Sequence, residues 1–169
     1  MPEIILGTLV KPIGLKGALK LRQSADFWEG ALASRRLQLV SPEQRRPVQV
    51  VASQDLGRGM RRTSFAGIAD RDASEALVGA ELMLALPDPT IEAPPELRPF
   101  QVLGFTVFLR DGTQLGTVSE LLPMPAQDVF VVQGDSREYM IPNTPAIVFA
   151  VDLDKQTVQV DPPDGLLEL

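Results

Sequence analysis

The chain has 169 residues, 44% of them apolar and 22% charged, with a formal net charge of −6 and neither histidine nor cysteine. That composition suits one globular domain or two small ones. Without imidazole or thiol it excludes Ser–His–Asp and Cys–His catalysis, disulfides and Cys/His zinc sites, and leaves open an enzyme built on Lys, carboxylate or Tyr chemistry.

In chain order, Ile4 to Val10 is rich in β-formers. After Gly14-Leu15-Lys16-Gly17 the chain alternates through Leu19, Lys20, Leu21 and Arg22, which puts leucines on one face and bases on the other. Further strands are predicted at Leu37–Val40, Val48–Ala52, Thr63–Ile68 and Leu82–Leu86. One helix interrupts them over Asp72–Gly79, with Asp72 as its cap, Glu75 completing a capping box and Gly79 as its stop.

From Pro87 to Pro99 five prolines fall in thirteen residues, which predicts a semi-rigid extended linker over 87–98 between domains at 1–86 and 99–169. Charge divides at the same place. Residues 1–86 carry twelve Lys/Arg against nine Asp/Glu, net +3; residues 87–169 carry four against thirteen, net −9. A mildly basic half suits a phosphate backbone and an acidic half suits a basic protein, although solvated faces would produce the same count.

Beyond the linker come hairpin signals. Phe105–Leu109 and Gln114–Leu121 flank Asp111-Gly112, Val129–Val132 and Tyr139–Ile141 flank Gly134-Asp135, and Ile147–Leu153 and Thr157–Val160 flank Asp154-Lys155. Short, evenly spaced strands predict an all-β protein of two small β-barrels, with one short helix in the first. No apolar stretch approaches the ~20 residues that cross a bilayer. The opening Met1-Pro2-Glu3-Ile4 lacks a basic-then-apolar leader, so a soluble cytoplasmic protein is expected.

Motifs that carry chemistry are few. Gly14-Leu15-Lys16-Gly17 has the GxxG form with which helical RNA-binding modules clamp a backbone. Strands flank it here, which favours a tight strand-connecting turn with Lys11, Lys16 and Lys20 nearby. Gly57-Arg58-Gly59-Met60-Arg61-Arg62 lacks the third glycine and the helix of a dinucleotide loop. It reads as a basic hairpin tip, either touching phosphates or merely solvated. Asp152-Leu153-Asp154 starts like a calcium loop, but Gln156, Thr157 and Pro163 stand where Asp/Asn, Gly and Glu are needed. No metal site, cofactor site or catalytic set emerges, and the residues alone lead to a non-catalytic two-barrel protein.

A resemblance extends that reading. Ile5-Leu6-Gly7, Lys11-Pro12-Ile13-Gly14-Leu15-Lys16-Gly17-Ala18-Leu19-Lys20, Ala25-Asp26-Phe27 and Asp70–Leu82 resemble the first domain of the RimM family of ribosome maturation factors. Leu103-Gly104-Phe105-Thr106-Val107, Leu115-Gly116-Thr117-Val118, Ala126-Gln127-Asp128-Val129, Ile141-Pro142, Val151-Asp152 and Val160–Leu167 resemble the family's PRC-barrel.

The resemblance implies a non-enzymatic assembly factor without cofactor. It would bind the immature 30S subunit through the basic head protein S-nineteen, promote head assembly and 16S rRNA processing, and act as a monomer. Lys11, Lys16, Lys20, Arg58, Arg61 and Arg62 are then candidates for rRNA contact, and Phe100, Gln127 and Asp128 for contact with the ribosomal protein. The family's Tyr-Tyr pair before the second domain is replaced by Leu97 and Arg98, leaving Phe100 as either an apolar anchor or the first core residue. A general protein or RNA adaptor on the same barrels is the alternative.

Overall fold

A computed structural model describes residues 3–168; Met1 and Pro2 of the opening tetrapeptide, and Leu169, lie outside the described residues. The chain forms two compact units, Met1–Glu96 and Leu97–Leu169. Each is built on one β-sheet, of the small-barrel class that the strand spacing predicts.

The first sheet has seven antiparallel strands in the order β4-β3-β7-β1-β2-β6-β5. These are β1 (Glu3–Ile13), β2 (Ala18–Gln23), β3 (Leu37–Val40), β4 (Arg45–Pro47), β5 (Val50–Gly57), β6 (Met60–Phe65) and β7 (Glu81–Ala85). Alternation places Leu19 and Leu21 of β2, Leu37 and Leu39 of β3 and Leu82 and Leu84 of β7 on the buried face. The central strand β1 carries register shifts between Ile5 and Gly7 and between Leu9 and Lys11. Such bulges bend a strand and increase its twist, letting the sheet curl around its core.

The helix differs from expectation. It is a single turn, α1 (Arg71–Glu75), and its cap is Asp70, whose carboxylate accepts the Ala73 backbone N–H at 2.8 Å. Asp72 lies inside that turn. Glu75, expected to close a box, pairs instead with Arg71 at 3.2 Å. Gly79 does end the segment, at φ +91°.

The second sheet has six strands in the order β11-β10-β9-β8-β13-β12. They are β8 (Thr106–Leu109), β9 (Gln114–Leu122), β10 (Val129–Gln133), β11 (Glu138–Pro142), β12 (Val148–Asp152) and β13 (Thr157–Val160). All three expected hairpins form. The pair β13 and β8 is parallel, in contrast to its neighbours. Val102, Phe105, Val107, Val118, Leu121, Phe130, Val132, Ile141, Val148, Val158 and Val160 fill the core, with Leu97 packed against it. A one-turn helix α2 (Pro99–Val102) opens this unit. Proline stands at its first position, and the Arg98 backbone N–H donates to Gln101 Oε1 at 2.8 Å.

Residues 87–96 pack with the first unit rather than standing apart from it. Asp88 is buried there. The indole N–H of Trp28 donates to the Glu92 carbonyl at 3.0 Å. This placement moves three carboxylates, Asp88, Glu92 and Glu96, into the first unit. By compact unit the charges are then twelve Lys/Arg against twelve Asp/Glu in residues 1–96, and four against ten in residues 97–169. The first unit is neutral, so any basic character it has must come from placement.

Candidate nucleic-acid interface

That placement follows from strand register. Lys11 of β1 stands opposite Lys20 of β2, and Lys20 opposite Arg62 of β6. Directly paired residues share a face, so three cations form one row across three adjacent strands. Their neighbours two rows along, Thr8, Arg22 and Met60, are likewise paired in register. Leu9, Leu21 and Arg61 form the row between, facing the core. Strands lie about 4.8 Å apart, so the three cations fall within roughly 10 Å. Like charges opposite one another are destabilising, by up to ~1 kcal/mol per pair at 5 Å in water. An anionic backbone crossing the row would remove that repulsion. Arg22, exposed beside Lys20, extends the basic face. The alternation Leu19-Lys20-Leu21-Arg22 already held the signal for including it.

The other sequence candidates fall in different places. Lys16 is exposed in the β1–β2 turn, whereas Arg58 sits at the β5–β6 tip, at φ +56° between Gly57 and Gly59. The Gly59 carbonyl accepts the Gln23 N–H at 2.7 Å, so the tip lies at the far end of β2 from the Lys16 turn. Six residues of strand, roughly 20 Å, separate them.

Arg61 is a correction. Consecutive strand residues point to opposite faces, and Arg61, in register with Leu21, points inward and is only 4% exposed. Its Nε donates to Ser53 Oγ at 2.8 Å, its Nη2 pairs with Glu29 at 3.3 Å, and its guanidinium lies 5.5 Å from the Phe27 ring centre. It is a buried organiser of the fold, removed from the phosphate-facing set.

The Gly14-Leu15-Lys16-Gly17 segment is the strand-connecting turn. A Cβ on Gly17 would lie 2.2 Å from the Ile68 carbonyl oxygen, and Arg71 Nη1 donates to the Gly14 carbonyl at 3.0 Å. Gly17 serves close backbone packing, whereas Gly14 supplies a positive φ of +68°.

In the second unit, α2 places half-buried Phe100 at the entry, while the loop into β10 places half-buried Gln127 and Asp128. The Asp128 carbonyl accepts the Asn143 N–H at 2.8 Å, so its backbone ties β10 to the end of β11. Sequence reasoning missed a second surface. Glu120, Val131 and Met140 form one cross-strand row of β9, β10 and β11; Thr117, Gln133 and Glu138 form the next row on that face. Glu120 and Glu138 are exposed, and Met140 is 49% exposed. Arg110 is engaged within its own unit, by Asp161 at 3.0 Å and the Phe149 ring at 4.2 Å.

Two family profiles match the chain: the RimM N-terminal domain over residues 4–86 and the RimM PRC barrel domain over residues 99–166. A relative from Staphylococcus saprophyticus named ribosome maturation factor RimM is 30% identical over 168 residues, covering 98% of this chain and 99% of its own. One of the same name from Clavibacter michiganensis is 36% identical, covering 96% of this chain and 79% of its own. The solution structure of the N-terminal domain of RimM from Thermus thermophilus covers 52% of this chain and 98% of its own, at 25% identity and a TM-score of 0.41.

Proposed function

The chain belongs to the RimM family of ribosome maturation factors, and from that membership we propose that it acts as a non-catalytic factor on the immature 30S subunit. In this reading it binds the basic head protein S-nineteen and promotes head assembly and 16S rRNA processing. The observation that carries the proposal is the division of charge by unit. The second unit is net acidic and joins Glu120 and Glu138 to an exposed thioether on one sheet face, which suits a basic protein. The first unit is neutral but gathers Lys11, Lys20, Arg22 and Arg62 on one face, which suits phosphates.

The mechanism is differential binding: a factor that prefers the correctly folded head shifts the assembly equilibrium towards it, while nucleases cut the precursor. Phe100, Gln127 and Asp128 belong to the proposed protein contact, and Lys16 and Arg58 flank the proposed RNA contact from opposite ends.

Co-sedimentation with immature small subunits across a salt series tests both halves. Lys11→Ala/Lys20→Ala/Arg62→Ala is expected to weaken association and flatten the salt dependence, by about 0.7–0.9 in log–log slope per lost phosphate contact. Glu120→Lys/Glu138→Lys is expected to weaken binding to the purified head protein. An unchanged salt slope in the first variant would remove the basic row from the interface, and undiminished affinity in the second would remove the acidic face.

A further inference from the structure

Residues 87–96 contain neither helix nor strand, yet two clasps hold them to the first unit. At one, Asp88 is buried and accepts the hydroxyl of Ser34 and, within the segment, the N–H of Thr90 at 3.0 Å and its hydroxyl. Ser34 Oγ also accepts the Arg36 N–H at 2.9 Å, and the Arg36 guanidinium donates to the Pro87 carbonyl. At the other, the indole of Trp28, 4% exposed, donates to the Glu92 carbonyl.

Between and beyond these points the segment buries little. Pro87, Pro89, Thr90, Glu92, Ala93, Pro95 and Glu96 are exposed, and only Ile91 and Pro94 are half-buried. A segment held by polar contacts, without ladder bonds or a large apolar face, opens at far lower cost than the sheet beneath it.

We propose that residues 87–96 are a releasable strap that sets the length of the tether into the second unit. Closed, the strap is part of the first unit; open, it adds ten residues of chain, up to about 33 Å of reach. Where two weak contacts must be made together, tether length sets the effective concentration of the second contact. The strap thus provides two tether lengths in one sequence. Its prolines keep the released segment extended. The inference rests on the clasps and holds whichever ligand either unit binds.

The chain contains one tryptophan, so Trp28 reports the strap without labelling. On the wild-type full chain, hydrogen exchange of the Trp28 indole N–H is followed by NMR across low concentrations of urea, alongside the backbone amides of Leu19 and Leu21. The indole is expected to exchange at least tenfold faster than those amides and with little denaturant dependence, the signature of an opening that exposes little surface. Indole exchange that merges with the Leu19 and Leu21 isotherms would overturn the proposal, because the strap would then open only on global unfolding.

A second measurement uses Asp88→Ala/Thr90→Val. Acrylamide quenching of Trp28 and glutamyl-endopeptidase cleavage after Glu92 are each expected to rise at least threefold, with the far-ultraviolet circular dichroism of the sheets retained. Unchanged quenching and cleavage in the folded variant would show that the Asp88 clasp does not hold the strap. Failure of either RNA or protein binding leaves these readouts untouched, so the strap and the ribosomal role stand or fall separately.

Discussion

Replacing Gly17 with alanine tests whether the GxxG segment is architecture or an RNA clamp. Gly17 sits at φ +94°, and a Cβ there would lie 2.2 Å from the Ile68 oxygen, 2.7 Å from its carbonyl carbon and 3.1 Å from Ala69 N. The obstruction is backbone, so relief requires the Ile68–Ala69 segment to move about 1 Å against buried Ile68. The left-handed conformation costs an alanine about 1–2 kcal/mol, and forcing packed backbone apart costs about 1–3 kcal/mol more. Gly14→Ala is the internal control, since it shares the positive φ, at +68°, but has nothing within 4 Å of its Cβ.

Gly17→Ala should therefore destabilise the first unit by about 2–5 kcal/mol and Gly14→Ala by about 1–2 kcal/mol. The difference is at least several-fold in the unfolding equilibrium, at ~1.4 kcal/mol per tenfold. Urea unfolding followed by Trp28 emission measures both, because that tryptophan lies in the first unit. RNA affinity measured on the folded fraction should hardly change in Gly17→Ala. Equal destabilisation by the two variants would refute the close-approach argument, and lost RNA affinity at unchanged stability would restore the clamp.

Three further outcomes follow from the same geometry. Arg61→Ala should cost about 2–4 kcal/mol through a cavity beside Phe27 and a lost charged hydrogen bond to Ser53, whereas Arg62→Ala should stay within about 0.5 kcal/mol; paired denaturation curves decide it. Lys20→Thr should stabilise the isolated protein by a few tenths of a kcal/mol at low salt by relieving repulsion from Lys11 and Arg62, while weakening RNA binding; a gain that persists in high salt would trace to β-propensity instead. The Ser34 hydroxyl, then the Thr90 hydroxyl and N–H, with nearby Arg36 contributing less, hold Asp88 down at about 2. Its folded value is below the ordinary one near 3.9, so the clasp contribution is complete above about pH 4 and is lost as pH falls towards 2. Trp28 quenching should rise across that window in the wild type and much less in Asp88→Asn.

Where period-2 alternation coincided with turn residues, the sequence was enough to place strands: the Asp111-Gly112, Gly134-Asp135 and Asp154-Lys155 hairpins all form. The three-residue strand β4 escaped because Arg45-Arg46-Pro47 has no apolar member facing a core, only register with Leu39 and its neighbours. Asp70 rather than Asp72 became the cap because both precede helix-forming residues at suitable spacing, and only the three-dimensional path of the chain decides between them. The basic row was half-legible. Alternation turns Lys20 and Arg22 outward, but which residues oppose them depends on register across β1, β2 and β6, and on a bulge that a linear pattern does not display. Arg61 and Arg62 read as equivalent neighbours until one was seen inside and the other outside. The proline count marked a segment without helix or strand, but it carried no information on Ser34 and Trp28, which lie some sixty residues away in sequence and hold that segment down.

The parallel pairing of β8 with β13 also governs how the second unit is made. Val107 and Val158, side by side in that pairing, are both fully enclosed. The strand carrying Val158 leaves the ribosome about fifty residues after the strand carrying Val107. At about 5–20 residues per second, that is an interval of about 3–10 s. Throughout it, Thr106–Leu109 has one hydrogen-bonding edge without its native partner, and the valines and phenylalanines beneath it lack their last wall. Hairpins β8–β9 and β10–β11 can close early because their partners are close in sequence, but the sheet as a whole waits for its last strand. During its own synthesis, then, this unit is an incomplete structure with an adhesive edge, for a period long compared with the folding of a small domain.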